Sequence, residues 1–335
     1  MDCTVRDGGY VLGWHKSFDY VSSLCHALQD AQVNWVEVGF VNKHRPGDGP
    51  WASLTAELLD RLADTGRRAA AEPLFVAGML DVGKATPADL RWIRGSRLDM
   101  VRIAARPADW PAAFALVPAL KDMGVKVSIN AMAASHLDAL WHTRTLADLA
   151  AVSGATPDVI YFADSFGACR PYQISGLVYN LSLALSQNRV EVDIGFHAHD
   201  NLRLAFANAL AAVDAGATWV DGSVFGVGRG GGNLTTELMV SEWRGLQYVP
   251  PLKAWYAAHL NPTDDPCPWG YSWGNLATGA ANAHPNYNDS LEPLCQSYAA
   301  FINHLQRLIP ADKIKHNDHL EQSHEVNSVH PNQGT

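Results

Sequence analysis

Cysteine is scarce and unpatterned in this chain. Five occur in 335 residues (Cys3, Cys25, Cys169, Cys267 and Cys295), an odd number with no CxxC pair. That excludes a disulfide scaffold or a zinc ribbon and reads as reduced thiols in an intracellular protein. No stretch approaches about 18 uninterrupted apolar residues, so no membrane-spanning helix is expected. Positive charge is in deficit, with 25 Lys plus Arg against 34 Asp plus Glu and a formal charge of −9. This balance argues against nucleic acid or an anionic membrane as the main partner, while leaving room for a local basic pocket. Residues 1–6 carry neither the basic nor the apolar region of a secretory signal, so a cytoplasmic location is expected.

Apolar residues make up 47% of the chain and charged residues 18%, which excludes a disordered or fibrous protein. Short β-rich runs fall at 2–6, 34–40, 73–79, 99–103, 125–130, 158–163, 191–199 and 218–224. Between them, Ala, Leu and Val recur at helical spacing over 17–32, 52–64, 108–123, 136–153, 171–187 and 201–215. Gly66, Gly124, Gly154 and Gly216 stand where left-handed C-caps would end such helices. Strands alternating with helices mean βα units around a parallel sheet. Eight units close naturally into a (β/α)8 TIM barrel, with a doubly wound open sheet as the rival. Polar residues favour the barrel. Arg6, Asp7, Glu37, Arg102, Asn130, Asp164, Ser165, His197 and His199 all fall at the C-terminal ends of different predicted strands, which a barrel gathers at one mouth.

The predicted organisation is therefore a barrel over 1–248, a small helical extension over 249–313 and a polar, frayed tail over 314–335. The extension opens with a Pro-, Trp- and Gly-rich stretch that could serve as an interface in a homodimer or larger homo-oligomer. The tail holds His316, His319, His324 and His330, best read as solvated.

His197-Ala198-His199 is the sharpest chemical signal. Residues i and i+2 on a strand face the same way, so both imidazoles project into the mouth, within reach of one divalent ion. Asp7 is the natural carboxylate to complete the set; the bland alternative is a pair of satisfied core histidines. In Arg6-Asp7-Gly8-Gly9-Tyr10 the guanidinium can face a substrate oxyanion while the carboxylate binds metal. Glu37 lies on an otherwise apolar strand, where an unpaired carboxylate is costly, so it is expected to pair with Arg6. The stretch Gly226 to Asn233 contains five glycines, which signals close backbone approach. It suits either an anion at a helix start or an ordinary helix N-cap at Asn233.

Together, Asp2-Cys3-Thr4-Val5-Arg6-Asp7-Gly8-Gly9, Val36-Glu37-Val38-Gly39, His197-Ala198-His199-Asp200-Asn201 and the Gly228 to Asn233 loop resemble the signatures of the DRE-TIM metallolyases. That superfamily includes 4-hydroxy-2-oxoacid aldolases, 3-hydroxy-3-methylglutaryl-CoA lyase and the acyl-CoA condensing synthases. The resemblance covers roughly 2–245. It implies that Asp7, His197 and His199 hold a divalent metal, Mn²⁺ or Mg²⁺, with Asn233 at the place of a fourth ligand that only some members use. It also implies that Arg6 stabilises an enolate oxygen with support from Glu37. The short chain looks closer to the 4-hydroxy-2-oxovalerate aldolases than to the synthases. His284-Pro285-Asn286-Tyr287 looks like a segment in that group that returns a tyrosine to the site, against an aromatic simply packed under the barrel. Tyr10 stands where those aldolases carry a catalytic histidine.

The resulting expectation is a metal-dependent aldolase, a carbon–carbon lyase acting on a 2-oxo acid such as pyruvate with an aldehyde or ketone acceptor. Tyr10, Tyr287 or a bound water would move the protons. Arg102, Asn130 and Lys43 are weaker candidates for gripping the rest of the substrate, each against a structural or solvated role. The rivals are an acyl-CoA-dependent Claisen-condensing acyltransferase, a metal-dependent hydrolase and a non-catalytic scaffold.

Overall fold

The computed structural model describes residues 1–41, 48–66, 73–260 and 269–315. Seven parallel strands pair in sequential order: β1 (Trp35–Phe40), β2 (Phe75–Asp81), β3 (Met100–Ala105), β4 (Lys126–Ala131), β5 (Val159–Asp164), β6 (Asp193–Ala198) and β7 (Trp219–Asp221). The helices are α1 (Gly9–Leu12), α2 (Phe18–Asp30), α3 (Ala56–Gly66), α4 (Trp110–Asp122), α5 (Trp141–Val152), α6 (Pro171–Asn188), α7 (Ala205–Asp214) and α8 (Thr236–Trp243). After them come α9 (Pro250–His259), α10 (Trp273–Ala280), α11 (Tyr287–Ser290), α12 (Tyr298–Arg307) and α13 (Pro310–Ile314). Gly124, Gly154 and Gly216 do have positive φ just past α4, α5 and α7. Among the described residues no helix is long and apolar enough to cross a membrane.

The expected strand at 2–6 is the main departure. Asp2 forms one parallel bridge to Val36 beside β1 and another to Gly222 beside β7, joining the two edges of the curled, TIM-barrel-like sheet. The chain then turns at once. Asp2 N and Cys3 N still donate to Trp35 O and Gly222 O, but the Asp2 carboxylate accepts from Thr4 N and Thr4 Oγ1 and Asp7 N donates to Cys3 O, so the ladder is not continued as a strand. The turn lifts Arg6 and Asp7 over the sheet's C-terminal edge.

Period-two alternation sorts the strand residues into two environments. Val36, Val38, Val76, Leu80, Val101, Ile103, Ile129, Phe162 and Phe196 face the helices and form the main core. On the inner side, Ala77, Met100, Val159 and Tyr161 pack with Met1, Trp35 and Trp219 as an apolar floor. Gly195 makes room for this floor: a Cβ there would lie 2.5 Å from the Tyr161 ring. Above it the inner side becomes charged.

Beyond β7, α9 lies against α2, with the Trp255 ring edge-on to Tyr20 and Trp255 Nε1 donating to Ser23 Oγ. Ala277, Ala283, Tyr287, Leu291, Phe301, Leu305 and Leu308 form a separate small core. Residues 316–335, which include the four tail histidines, lie outside the described residues.

Candidate metal centre

Two buried guanidiniums organise the charged layer. Arg102, on β3, is fully buried; its Nη2 bonds Asp221 Oδ2, and its Nη1 lies 3.2 Å from Glu37 Oε2. Its guanidinium sits 4.4 Å above the Tyr161 ring centroid, so the floor supplies a cation–π face. Arg6 Nε donates to the same Glu37 Oε2 at 2.6 Å, and Arg6 Nη1 donates to Asp7 Oδ1 at 2.6 Å. The chain Asp7–Arg6–Glu37–Arg102–Asp221 therefore crosses the interior with every charge answered by an opposite one. Such pairing is what lets ionised groups remain buried.

His197 and His199 descend into this layer from β6. His197 Nδ1 lies 3.2 Å from Asp221 Oδ2, which orients the ring and leaves Nε2 toward the mouth. His197 Nε2 and His199 Nε2 stand 3.9 and 3.8 Å from Asp7 Oδ2. Those separations are too long for hydrogen bonds and suit groups sharing one ion. Asp7, His197 and His199 each offer one ligand atom, all within 4.8 Å of one another. Asn233 Nδ2 donates to Asp7 Oδ2 at 2.6 Å, and its buried Oδ1 has no hydrogen-bond partner among the described residues. A buried carboxylate, two imidazoles and an orphaned carbonyl oxygen form a mixed N/O set that fits a divalent cation.

The electrostatics agree with that chemistry. Burial pushes the Asp7 carboxyl up, but Arg6, His199, His197 and the Asn233 hydrogen bond outweigh it and hold the group well below the usual carboxylate range. Burial lowers His199 to about 3, so its imidazole is neutral and free to ligate at neutral pH. Asp221 is likewise held low, with Arg102 and His197 overcoming its burial. Cys3, His197 and Asp221 make a second compact group of potential ligands. There Arg102 already supplies the cation, and burial pushes the Cys3 thiol well up, so it stays protonated.

Arg6, Asp7, Glu37, His197, His199 and Asn233 thus converge. Asn233 is not the helix cap: α8 begins at Thr236 with Thr235 before it. The glycines around it serve close packing, since a Cβ on Gly228 would lie 2.5 Å from Asn233 Nδ2 and one on Gly231 2.6 Å from the backbone of Asn201. Gly231 N donates to Asn201 Oδ1, so this part of the loop is tied to the protein rather than left open for an anion. Asn130 lies at the end of β4 with its Oδ1 accepting from Ser128 Oγ. Tyr10 stands at the lip, its ring edge-on to Trp14 at 5.1 Å. Desolvation by the surrounding protein pushes its phenol above the ordinary value, ahead of the lowering pull of Arg6 and Arg229, so Tyr10 holds its proton at neutral pH.

Two expected contributors are elsewhere, and a third falls outside the described residues. Arg102 does not grip substrate, because it is sealed beneath the mouth and bound to two carboxylates. Tyr287 is turned into the C-terminal core, where its hydroxyl donates to Asp312 O at 2.9 Å. Lys43 lies outside the described residues. Two residues of the charged layer and its rim escaped the sequence reading. Asp221 carried the same signal as Glu37, a carboxylate in an apolar strand; Arg229 is the lone charge among the five loop glycines.

The geometry of this mouth can be set beside known proteins. The family model described as HMGL-like matches residues 1–258. The chain belongs to the HMGL-like family. A 4-hydroxy-2-oxovalerate aldolase of Geobacillus genomosp. 3 is 32% identical to this HMGL-like chain over 250 residues, spanning 72% of the chain and 68% of the relative. One from Roseiflexus sp. (strain RS-1) is 32% identical over 255 residues, 75% and 71% of the two chains. The N-terminal domain of a putative aldolase from Bacteroides vulgatus superimposes with a TM-score of 0.75 at 26% identity, covering 90% of this chain and 98% of that one. The carboxyl transferase domain of Rhizobium etli pyruvate carboxylase shares the fold at 16% identity and a TM-score of 0.62, covering 87% of this chain and 52% of that one.

Proposed function

We propose that this protein is a class II, divalent-metal-dependent aldolase that makes or breaks the bond between a 2-oxo acid such as pyruvate and an aldehyde or ketone. The observation that carries the reading is the convergence of Asp7, His197 and His199 next to a guanidinium with one free arm. Arg6 spends Nε on Glu37 and Nη1 on Asp7, while Nη2 makes no hydrogen bond to the described residues. The aldolase relatives support this reading over an acyl-CoA condensing enzyme. The proposed architecture is an eight-fold barrel in which residues 1–7 take the first position, with the helices after 249 as an extension.

Asp7, His197, His199 and the Asn233 carbonyl oxygen would hold the ion, which supplies Lewis acidity to the carboxylate and keto oxygen of the 2-oxo acid. Cleavage of a 4-hydroxy-2-oxo acid breaks C3–C4, leaves the electron pair on C3 and releases the C4 hydroxyl proton as C4 becomes a carbonyl. Arg6 Nη2 donates to the oxygen where enolate charge develops, and Glu37 keeps that arm aimed. Tyr10 holds its proton and so serves as donor to the acceptor oxygen when the bond forms; in cleavage the phenol proton first leaves to water, the phenolate takes the C4 hydroxyl proton, and a proton from water on C3 completes pyruvate. Tyr287 has no part in this, since its hydroxyl is committed to Asp312. Soluble handling of small molecules in the cytoplasm, by a homodimer or larger assembly, accompanies the proposal.

The test supplies Mn²⁺ or Mg²⁺ and screens 4-hydroxy-2-oxo acids for pyruvate release, with Asp7→Ala as control. Metal-dependent pyruvate release abolished by Asp7→Ala is expected. Release that survives the substitution contradicts the site, and thiol release from acetyl-CoA without pyruvate formation moves the chemistry to the condensing reaction.

A further inference from the structure

Three guanidiniums reach the interior or mouth of the sheet, and two of them are bound to carboxylates. Arg229 is the third. It follows β7 and stretches past β6, which carries the histidines, toward the end of β5, where its Nη2 lies 3.5 Å from Ser165 O. On the other side its Cζ lies 5.6 Å from the Tyr10 ring centroid. The guanidinium therefore bridges the mouth above the candidate ligands. It is half-buried, its Nε is shielded from water without a hydrogen-bond partner, and it has no ion pair among the described residues. A desolvated cation with an unspent donor is costly unless an anion completes it.

The charge balance says where that anion comes from. In the bonded cluster Asp7, Glu37 and Asp221 outnumber Arg6 and Arg102 by one. A dication reverses the excess to one positive charge, and Arg229 raises it to two. A simple 2-oxo acid brings a single carboxylate, which would be met by a cation held at Asp7, His197 and His199. One positive charge is then left at the rim, where Arg229 stands beside Tyr10.

We infer that Arg229 is a specificity residue that reads a second anionic group on the substrate, so that the preferred acceptor is an aldehyde or ketone bearing its own carboxylate. The cleavage substrate is then a 4-hydroxy-2-oxo diacid: C3–C4 breaks as above, the far carboxylate leaves with the acceptor, and nothing is oxidised or reduced. The inference rests on the metal-chelated 2-oxo acid proposed above.

Its test is a binding measurement that needs no turnover. The Mn²⁺-loaded protein is titrated calorimetrically with 2-oxoglutarate and with 2-oxopentanoate, which share the chelating head and differ in whether the tail ends in a carboxylate. A charge-assisted contact predicts that the diacid binds on the order of 10- to 100-fold tighter. Arg229→Gln should collapse the ratio of the two dissociation constants toward one, and Arg229→Lys should restore part of it, with thermal melts to show that both variants fold. A wild-type ratio near one, or a ratio that survives Arg229→Gln, overturns the inference. Pyruvate release is scored separately on the same preparations. Diacid preference without cleavage of any 4-hydroxy-2-oxo acid sinks the aldolase reading and keeps Arg229, whereas cleavage with no diacid preference does the reverse.

Discussion

Arg102→Met separates a strut from a substrate contact. The side chain is fully buried, bonds Asp221 Oδ2, lies 3.2 Å from Glu37 Oε2 and covers the Tyr161 ring. Methionine fills a similar volume but, among the described residues, leaves Asp221 with only His197 Nδ1, and its Oδ1 already has no partner there. Glu37 keeps Arg6, so one carboxylate of the two becomes uncompensated. Removing one partner from a buried pair costs about 3–5 kcal/mol. For a chain of this size that is about 6–10 °C in Tm, at about 2 °C per kcal/mol. Urea denaturation followed by circular dichroism reads the loss as a shift in midpoint at constant m. Adding Asp221→Asn removes the orphaned charge, so the double variant should lose less than the sum of the singles. A loss under about 1 kcal/mol from Arg102→Met, or strict additivity, would refute the strut; an intact fold with only a raised KM would return Arg102 to the substrate.

Two further perturbations probe the scaffold. Gly195→Ala places a methyl 2.5 Å from the Tyr161 ring and should destabilise by at least about 1–3 kcal/mol of overpacking, seen as a lower urea midpoint; an unchanged midpoint would mean that the floor yields freely. Burial raises the Asp164 carboxyl to about 6, against the backbone donors of Ala168 and Cys169. The folded state thus binds this proton more tightly than the unfolded chain, and stability should fall by roughly 3 kcal/mol as pH rises from about 4 to above 6. Asp164→Asn should flatten that slope, and an equally steep slope in the variant would assign it to another group.

Much of this was legible along the chain. Seven of the eight expected strands appear, because β-branched runs between capped helices leave little freedom of assignment. The exception, 2–6, shows what such runs omit. Asp2 carries a side chain that bonds its own backbone two residues on, and a β-rich composition cannot outbid that local turn. Its place at the end of a predicted strand put Arg102 at the mouth, but position along a strand says nothing of depth, and depth separates a substrate contact from a buried strut. Depth became visible only once β3 was registered against Asp221 across the interior. Tyr287 failed for a related reason: a four-residue likeness places a segment near the mouth without saying which way its ring turns. Pro285 does approach Gly230 of the loop, while Tyr287 points into the helices behind it. In the candidate metal set only His197 and His199 are two apart on one strand, where local geometry nearly determines direction; Asp7, near the N-terminus, joins them only if the sheet closes.

Everything chemical in this account depends on a carboxylate and two imidazoles acting on one ion. The most direct measurement is titration of the protein with Mn²⁺, following the free-ion signal by electron paramagnetic resonance. The account predicts one tight site per chain that Asp7→Ala and His199→Ala each weaken by orders of magnitude while the circular dichroism stays native. Undiminished Mn²⁺ binding in both variants, or no binding by the intact protein, would contradict it.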